Sequence, residues 1–278
     1  MLYVCLPSTI MAAQNRLHLR GEDDLKDSSG NQYHGREVGG VVGFDRGFVD
    51  GRAFRFDGRG SHIAVDHGGR IDLRSSFTLT FWIKPALGAV NGVILAEGIV
   101  DHRPSGRTVY LDSDRENGDG LVTYDDTAID KLRSRTPIND GGWHHVGIAI
   151  DYDCVAERGP IGISPFLENH RIVQGRARIY IDGLPDADSG ADSGLKLFRL
   201  LQSLNDTLTT GGTPARYPDL NLDNPAAEHN AFRGLLDDVQ NLEGALSEEQ
   251  VFQISEAEIK TPIVCTADDT QALRVTVE

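Results

Sequence analysis

Hydrophobic and polar residues alternate along this chain in short runs, each closed by glycine, aspartate, asparagine or proline. The clearest run is FTLTFWIKP at residues 77–85, where Phe77, Leu79, Phe81 and Ile83 alternate with Thr78, Thr80, Trp82 and Lys84. A period of two puts the first row on one face of a β-strand and the second row on the other. GWHHVGIA at 142–149 and RIYIDG at 178–183 read the same way. Further strands are predicted at 17–19, 53–56, 62–65, 93–97, 108–111, 121–124, 144–151, 176–182 and 234–242. Short strands with this punctuation predict an antiparallel β-sandwich. Most of the 31 glycines fall between the runs, where turns need positive φ.

One helix breaks the pattern. Ser247 followed by Gln250 makes a capping box, and Glu248 and Glu249 suit the positive end of the helix dipole. The helix is expected to run to about Ser255, with Val251 and Ile254 turned to the sandwich.

Composition narrows the partners. A chain of 278 residues fits a single sandwich domain with a sizeable core. Its 42 acidic and 27 basic residues give a formal net charge of −15, which repels phosphate backbones, and no basic cluster offsets it. Nucleic acid is therefore excluded as a partner. The three cysteines, Cys5, Cys154 and Cys265, have no metal or dithiol spacing. They leave either one disulfide and one thiol or three thiols. The first residues, MLYVCLPSTIMAAQNRLHLRG, lack a charged n-region and are interrupted by Pro7, so they do not read as a clean signal peptide. No segment approaches the ~20 apolar residues of a membrane span, so no membrane insertion is expected. This fits assembly into a larger particle such as a virion, a trimmed chain, or export by another route to the cell surface.

FTLTFWIKP, GWHHVGIA and RIYIDG occur in order with DSSGNQYHG at 27–35, GRAFRFDGRGSHIAV at 51–65 and FRGLLDDVQNLEGALSEEQV at 232–251. This set resembles the laminin G-like, concanavalin A-like lectin and glucanase jelly roll family. The resemblance implies an all-β, two-sheet antiparallel jelly roll over 17–255, with one short C-terminal helix. Strand-like extensions flank it at 1–16 and 256–278. Against the family pattern, the two strands that a tight hairpin normally joins are separated here by an insertion at 152–175. A second long connection, 184–231, contains LKLFRLLQSL with helical spacing and a polar stretch, TPARYPDLNLDNPAAEHN. Long loops on a rigid sandwich often carry function. The tail at 261–278, with Ile263, Val264, Leu273, Val275 and Val277, is expected to form one or two strands. These would add to this sheet or to a neighbouring subunit's.

The resemblance also implies a structural calcium that pins the N-terminal loop to the last long strand. Its expected oxygen donors are Asp27, Asn31, Asp57 and either Asp237 or Asp238, since adjacent strand residues face opposite ways. Calcium takes about 6–8 oxygens, so backbone carbonyls or water complete such a shell. The alternative is that these acids cap turns and bind arginine. A second, weaker ligand site is implied near Asp101, Asp112 and Asp114. Asp101, His102, Arg103, Tyr110 and Tyr124 are its candidates, and Phe166 and Tyr217 are further aromatics near loops. Arg103, Arg107, Arg133 and Arg135 are available to an acidic glycan or a protein partner. His144 and His145 point to opposite faces of one strand and read as scaffold, as do Trp82 and Trp143.

Glucanases of this architecture write their catalytic acids on one strand as Glu-x-Asp-x-Glu, and retaining glycosidases hold two carboxylates about 5–5.5 Å apart. EGIVD at 97–101 and DDVQNLE at 237–243 have the wrong spacing, and there is no GxSxG elbow. The expected function is therefore non-catalytic adhesion or recognition of a glycan or surface protein, on a virion or cell surface. A self-assembling virion decoration subunit is the alternative, and a hydrolase with an unrecognised site the third.

Overall fold

The computed structural model describes residues 13–49, 51–71, 75–89, 92–100, 103–112, 120–126, 131–158, 170–190, 196–199, 207–212 and 231–259. The first half holds β1 (Asn15–Leu19), β2 (Gly35–Val38), β3 (Gly43–Arg46), β4 (Arg52–Asp57), β5 (His62–Asp66), β6 (Phe77–Pro85), β7 (Gly92–Val100), β8 (Arg103–Asp112) and β9 (Leu121–Asp126). The second half holds β10 (Leu132–Pro137), β11 (His144–Arg158), β12 (His170–Ile181), β13 (Leu184–Asp188), β14 (Lys196–Arg199), β15 (Thr207–Thr210), β16 (Arg233–Glu243) and α1 (Glu248–Ile259). Among the described residues, no helix is long and apolar enough to cross a membrane.

The strands form two sheets. The larger runs β13-β12-β11-β6-β16-β4-β3, with β1 also on β16 and β14 also on β12. The smaller runs β10-β9-β8-β7-β15-β5-β2. The alternation in β6 works as its period dictates: Phe77, Leu79, Phe81 and Ile83 enter the core between the sheets. There they meet Val146, Ile148 and Ile150 of β11 and Val109, Val122, Tyr124 and Leu208 of the smaller sheet. The other row, Thr78, Thr80 and Trp82, lies on the outer face of the larger sheet, yet all three are buried. Something must cover that face, and at one end it is α1.

Val251 packs with Leu246, Leu242, Ala149 and Tyr180 in a second apolar cluster. A Cβ on Gly147 would sit 2.7 Å from Val251 Cγ1, so the helix closes only over glycine there. The capping box forms: Ser247 N–H donates to Gln250 Oε1 at 2.9 Å, and Gln250 N–H donates to Ser247 Oγ at 3.3 Å. The helix ends at Ile259, one turn past the expected Ser255.

Several expectations are corrected. The insertion at 152–175 is not a separate loop over its described residues. Instead β11 and β12 stay paired out to Arg158 and His170, although β11 leaves β6 at Ile150. Within LKLFRLLQSL, Lys196–Arg199 is a strand on β12, where ladder pairing overrides the helical spacing. The first strand begins at Asn15, two residues before its predicted start. Residues 261–278, Cys5 and Cys265 lie outside the described residues.

Candidate functional site

The predicted oxygen donors are held by different partners. Asp27 Oδ1 accepts the N–H groups of His18 at 3.0 Å and Ser29 at 2.9 Å. Its Oδ2 accepts Ser29 Oγ–H at 2.8 Å and Tyr33 N–H at 3.0 Å. A carboxylate has about four lone-pair directions, and these four donors fill them. Burial alone pushes this carboxyl up, but the hydrogen bonds outweigh it and hold Asp27 below the usual range. Asn31 turns its amide N–H₂ toward Asn15 O at 3.3 Å and Arg16 O at 3.0 Å. Asp57 Oδ1 accepts from Arg59 N–H at 2.9 Å and Ser61 Oγ at 3.3 Å.

Asp237 and Asp238 sit at a bulge in β16, between the pairs Asp237↔Trp82 and Gln240↔Thr80. Asp238 takes a left-handed φ of 48° and bonds His18 Nε2 and Gln240 Nε2, while Asp237 reaches the loop after β3. The bulge thus turns both acids to the outer face, correcting the expectation that they point opposite ways. Among the described residues, no three His, Cys, Asp or Glu side chains are placed to hold a metal ion. The five residues therefore do not fit one calcium shell, because N–H and O–H donors already perform the pinning.

The second predicted set is divided. Asp101, His102, Asp114, Phe166 and Tyr217 lie outside the described residues, and Arg103 opens β8 opposite Val100. Tyr110 packs with Val93 and Ala96, apart from the main core, with Lys131 Nζ 5.9 Å from its ring. Tyr124 is a fully buried core residue, so it cannot present a ring to a ligand. Arg107 is also turned inward, its guanidinium 3.5 Å from the centre of the Phe77 ring.

A cluster assigned to scaffold by sequence is the most chemically distinctive part of the outer face. Trp82 stands in register with His145 of β11 on one side and Asp237 of β16 on the other. Phe48, from the loop after β3, stacks on the Trp82 ring at 3.8 Å and 25°, and Trp143 lies 6.0 Å from Phe48. His145 is wholly buried, its ring centre 5.2 Å from that of Trp82. Phe48 is 37% exposed and Trp82 only 4%.

The Phe48 loop is latched from below, since Asp237 Oδ2 accepts the N–H groups of Phe48 and Val49, both at 2.9 Å. A Cβ on Gly47 would lie 2.7 Å from Arg52 O and 2.8 Å from Asp237 Oδ2, so only glycine lets the loop close. Burial raises the Asp237 carboxyl to about 7 against those two bonds, with the charge of Asp238 adding to the rise. Burial lowers the His145 imidazole to about 4, although the charges of Asp182 and Asp238 oppose this.

Two further carboxylates border the cluster. His144 Nδ1 is 3.0 Å from Asp182 Oδ2 and its Nε2 is 3.1 Å from Asp140 Oδ1, while Asp182 Oδ1 accepts the His145 N–H at 2.9 Å. The Asp182 hydrogen bond, followed by that of Asp140, raises the His144 imidazole in spite of burial. Sequence reading missed Phe48, which sits in GFVDG without periodicity. An aromatic residue in a glycine-bounded polar turn was its one signal.

Two antiparallel sheets packed face to face, with a capping helix on the larger, make this an all-β jelly-roll sandwich. Residues 57–157, which include FTLTFWIKP and GWHHVGIA, match the family model of the concanavalin A-like lectin/glucanases superfamily. Domain 4 of AbnA, a GH43 extracellular arabinanase from Geobacillus stearothermophilus solved with arabinotriose, is similar at a TM-score of 0.56 and 19% identity. That match covers 87% of this chain and 98% of that one. The receptor-binding domain of botulinum neurotoxin mosaic serotype C/D is similar at 0.55 and 17%, over 88% of this chain and 51% of that one. The binding domain of Paraclostridial Mosquitocidal Protein 1 is similar at 0.56 and 18%, over 87% and 52%. The chain thus spans about half the length of the toxin domains. At these identities the shared property is the fold. No curated protein matches the sequence.

Proposed function

We propose that this protein is a non-catalytic recognition module that binds carbohydrate at Trp143 and the outer face around it, displayed outside the cell or on a particle surface. The observation that carries the reading is the placement of Trp143 on the outer face beside the Phe48–Trp82 stack, bordered by the exposed carboxylates of Asp140 and Asp182. Aromatic faces stack on the C–H face of a sugar ring, and a few carboxylates at the edge bond its hydroxyls. The near-complete overlap with an arabinotriose-bound domain, and the partial overlap with toxin receptor-binding domains, supports binding as the use of this fold.

A glycan array tests this reading. Wild type is expected to bind neutral glycans, and Trp143→Ala to bind at least about tenfold more weakly, since truncating an aromatic hot spot loses 2 kcal/mol or more. An array blank across neutral and acidic glycans would remove the carbohydrate reading.

A further inference from the structure

Beneath Phe48, three buried polar atoms have no hydrogen-bond partner among the described residues: Asp237 Oδ1, His145 Nδ1 and His145 Nε2. Buried polar side-chain atoms are nearly always satisfied, and an orphan destabilises the fold unless water or a ligand supplies the bond. These atoms belong to the two residues that flank Trp82 across the sheet. Residues directly opposite one another in antiparallel strands share a face, so carboxyl, indole and imidazole form one row. An aromatic ring between an acceptor and an imidazole matches a sugar, whose ring stacks while its hydroxyls reach either side.

The Phe48 ring already occupies the stacking position, 3.8 Å above the indole. It is held there by the same carboxylate that lies beneath it, through the Phe48 and Val49 N–H groups. Asp238, 4% exposed, and Asp182 add negative charge beside the row, which disfavours an acidic sugar.

We propose that Phe48 is a lid, and that Trp82, Asp237 and His145 beneath it form a subsite for one neutral sugar ring that displaces the Phe48 ring from the indole. The subsite rests on the carbohydrate reading above and supplies its innermost contacts. Sugar hydroxyls donate to Asp237 Oδ1 and to the unprotonated nitrogen of His145, and accept from its N–H. The closed lid holds most molecules in a state that cannot bind there, so apparent affinity falls with the fraction that is open.

The test is a titration of wild type, Phe48→Ala and Phe48→Leu with arabinotriose. It follows the two indole N–H signals by NMR, assigned with Trp143→Phe. Phe48→Ala is expected to bind at least about tenfold more tightly than wild type, because the closed state no longer competes. The Trp82 signal should shift as it binds. Phe48→Leu, which keeps an apolar cover but loses the planar stack, should fall between the two. Adding Asp237→Asn or His145→Gln to Phe48→Ala should lose that gain. If neither lid variant binds more tightly and the Trp82 signal stays still while Trp143 responds, the subsite is overturned and the surface reading stands. If Phe48→Ala moves Trp82 although the wild-type array is blank, the subsite stands and the surface reading falls.

Discussion

Asp237 and His145 face Trp82 from opposite sides, and their protonation works in opposite directions. The folded pKa of Asp237, about 7, lies above its ordinary 3.8. Its contribution to stability is complete below that ordinary value and is lost as pH rises through 7. The folded pKa of His145, about 4, lies below its ordinary 6.5. Its contribution is complete above 6.5 and is lost as pH falls through 4. Between these limits the two slopes cancel, so the pair adds little pH dependence. Single variants should unmask each half. Relative to wild type, Asp237→Asn should gain stability with rising pH from 4 to 6.5, and His145→Gln should lose it, each at up to about 1.4 kcal/mol per pH unit. Urea melts across this range check the signs, and two variants with the same slope would refute the assignment. Of these residues, the sequence exposed Asp237 as an oxygen donor and placed Trp82 and His145 by alternation. It did not expose their shared row, because that depends on strand order across three distant segments.

Among the elements, β6, β11, β12 and β16 were legible because apolar alternation marks a strand with one core face. β15 was not, since TLTT offers only Leu208 to the core. Thr209 and Thr210 are buried by position, between β7 and β5 inside the smaller sheet. β14 failed for the opposite reason, because the leucines of LKLFRLLQSL satisfy a helical period while the backbone at Lys196–Arg199 completes a ladder with β12. The helix was legible from its cap, and the cap bonds are present. Ser247→Ala should cost about 1 kcal/mol, read as a lower urea midpoint at an unchanged m-value. An unmoved midpoint would mean that the packing of Val251, not the cap, positions α1.

For the whole molecule, the fold was legible because six spaced segments agreed on one architecture, whereas the ion expected to hold the loop to the sheet was not supported. Asp27 binds the loop to β1, and His18 links β1 to Asp238 of β16, so hydrogen bonds span the junction that calcium was expected to bridge. A chelator should leave the melting temperature unchanged, because only a ligand that favours the folded state raises stability. A rise on adding calcium would show that these carboxylates exchange their donors for the ion.

β16 lies between β6 and β4 and also carries β1, joining Leu242 to Asn15 across nearly the whole sequence. During synthesis, a chain that has emerged only as far as β15 already contains Phe48, Trp82, Trp143 and His145. It still lacks the strand that brings the β3–β4 hairpin alongside β6, and it lacks the carboxylate that latches Phe48. The recognition surface is therefore completed only when the ribosome delivers β16, and until then each half of the larger sheet carries an open edge that a chaperone, or another nascent chain, can take.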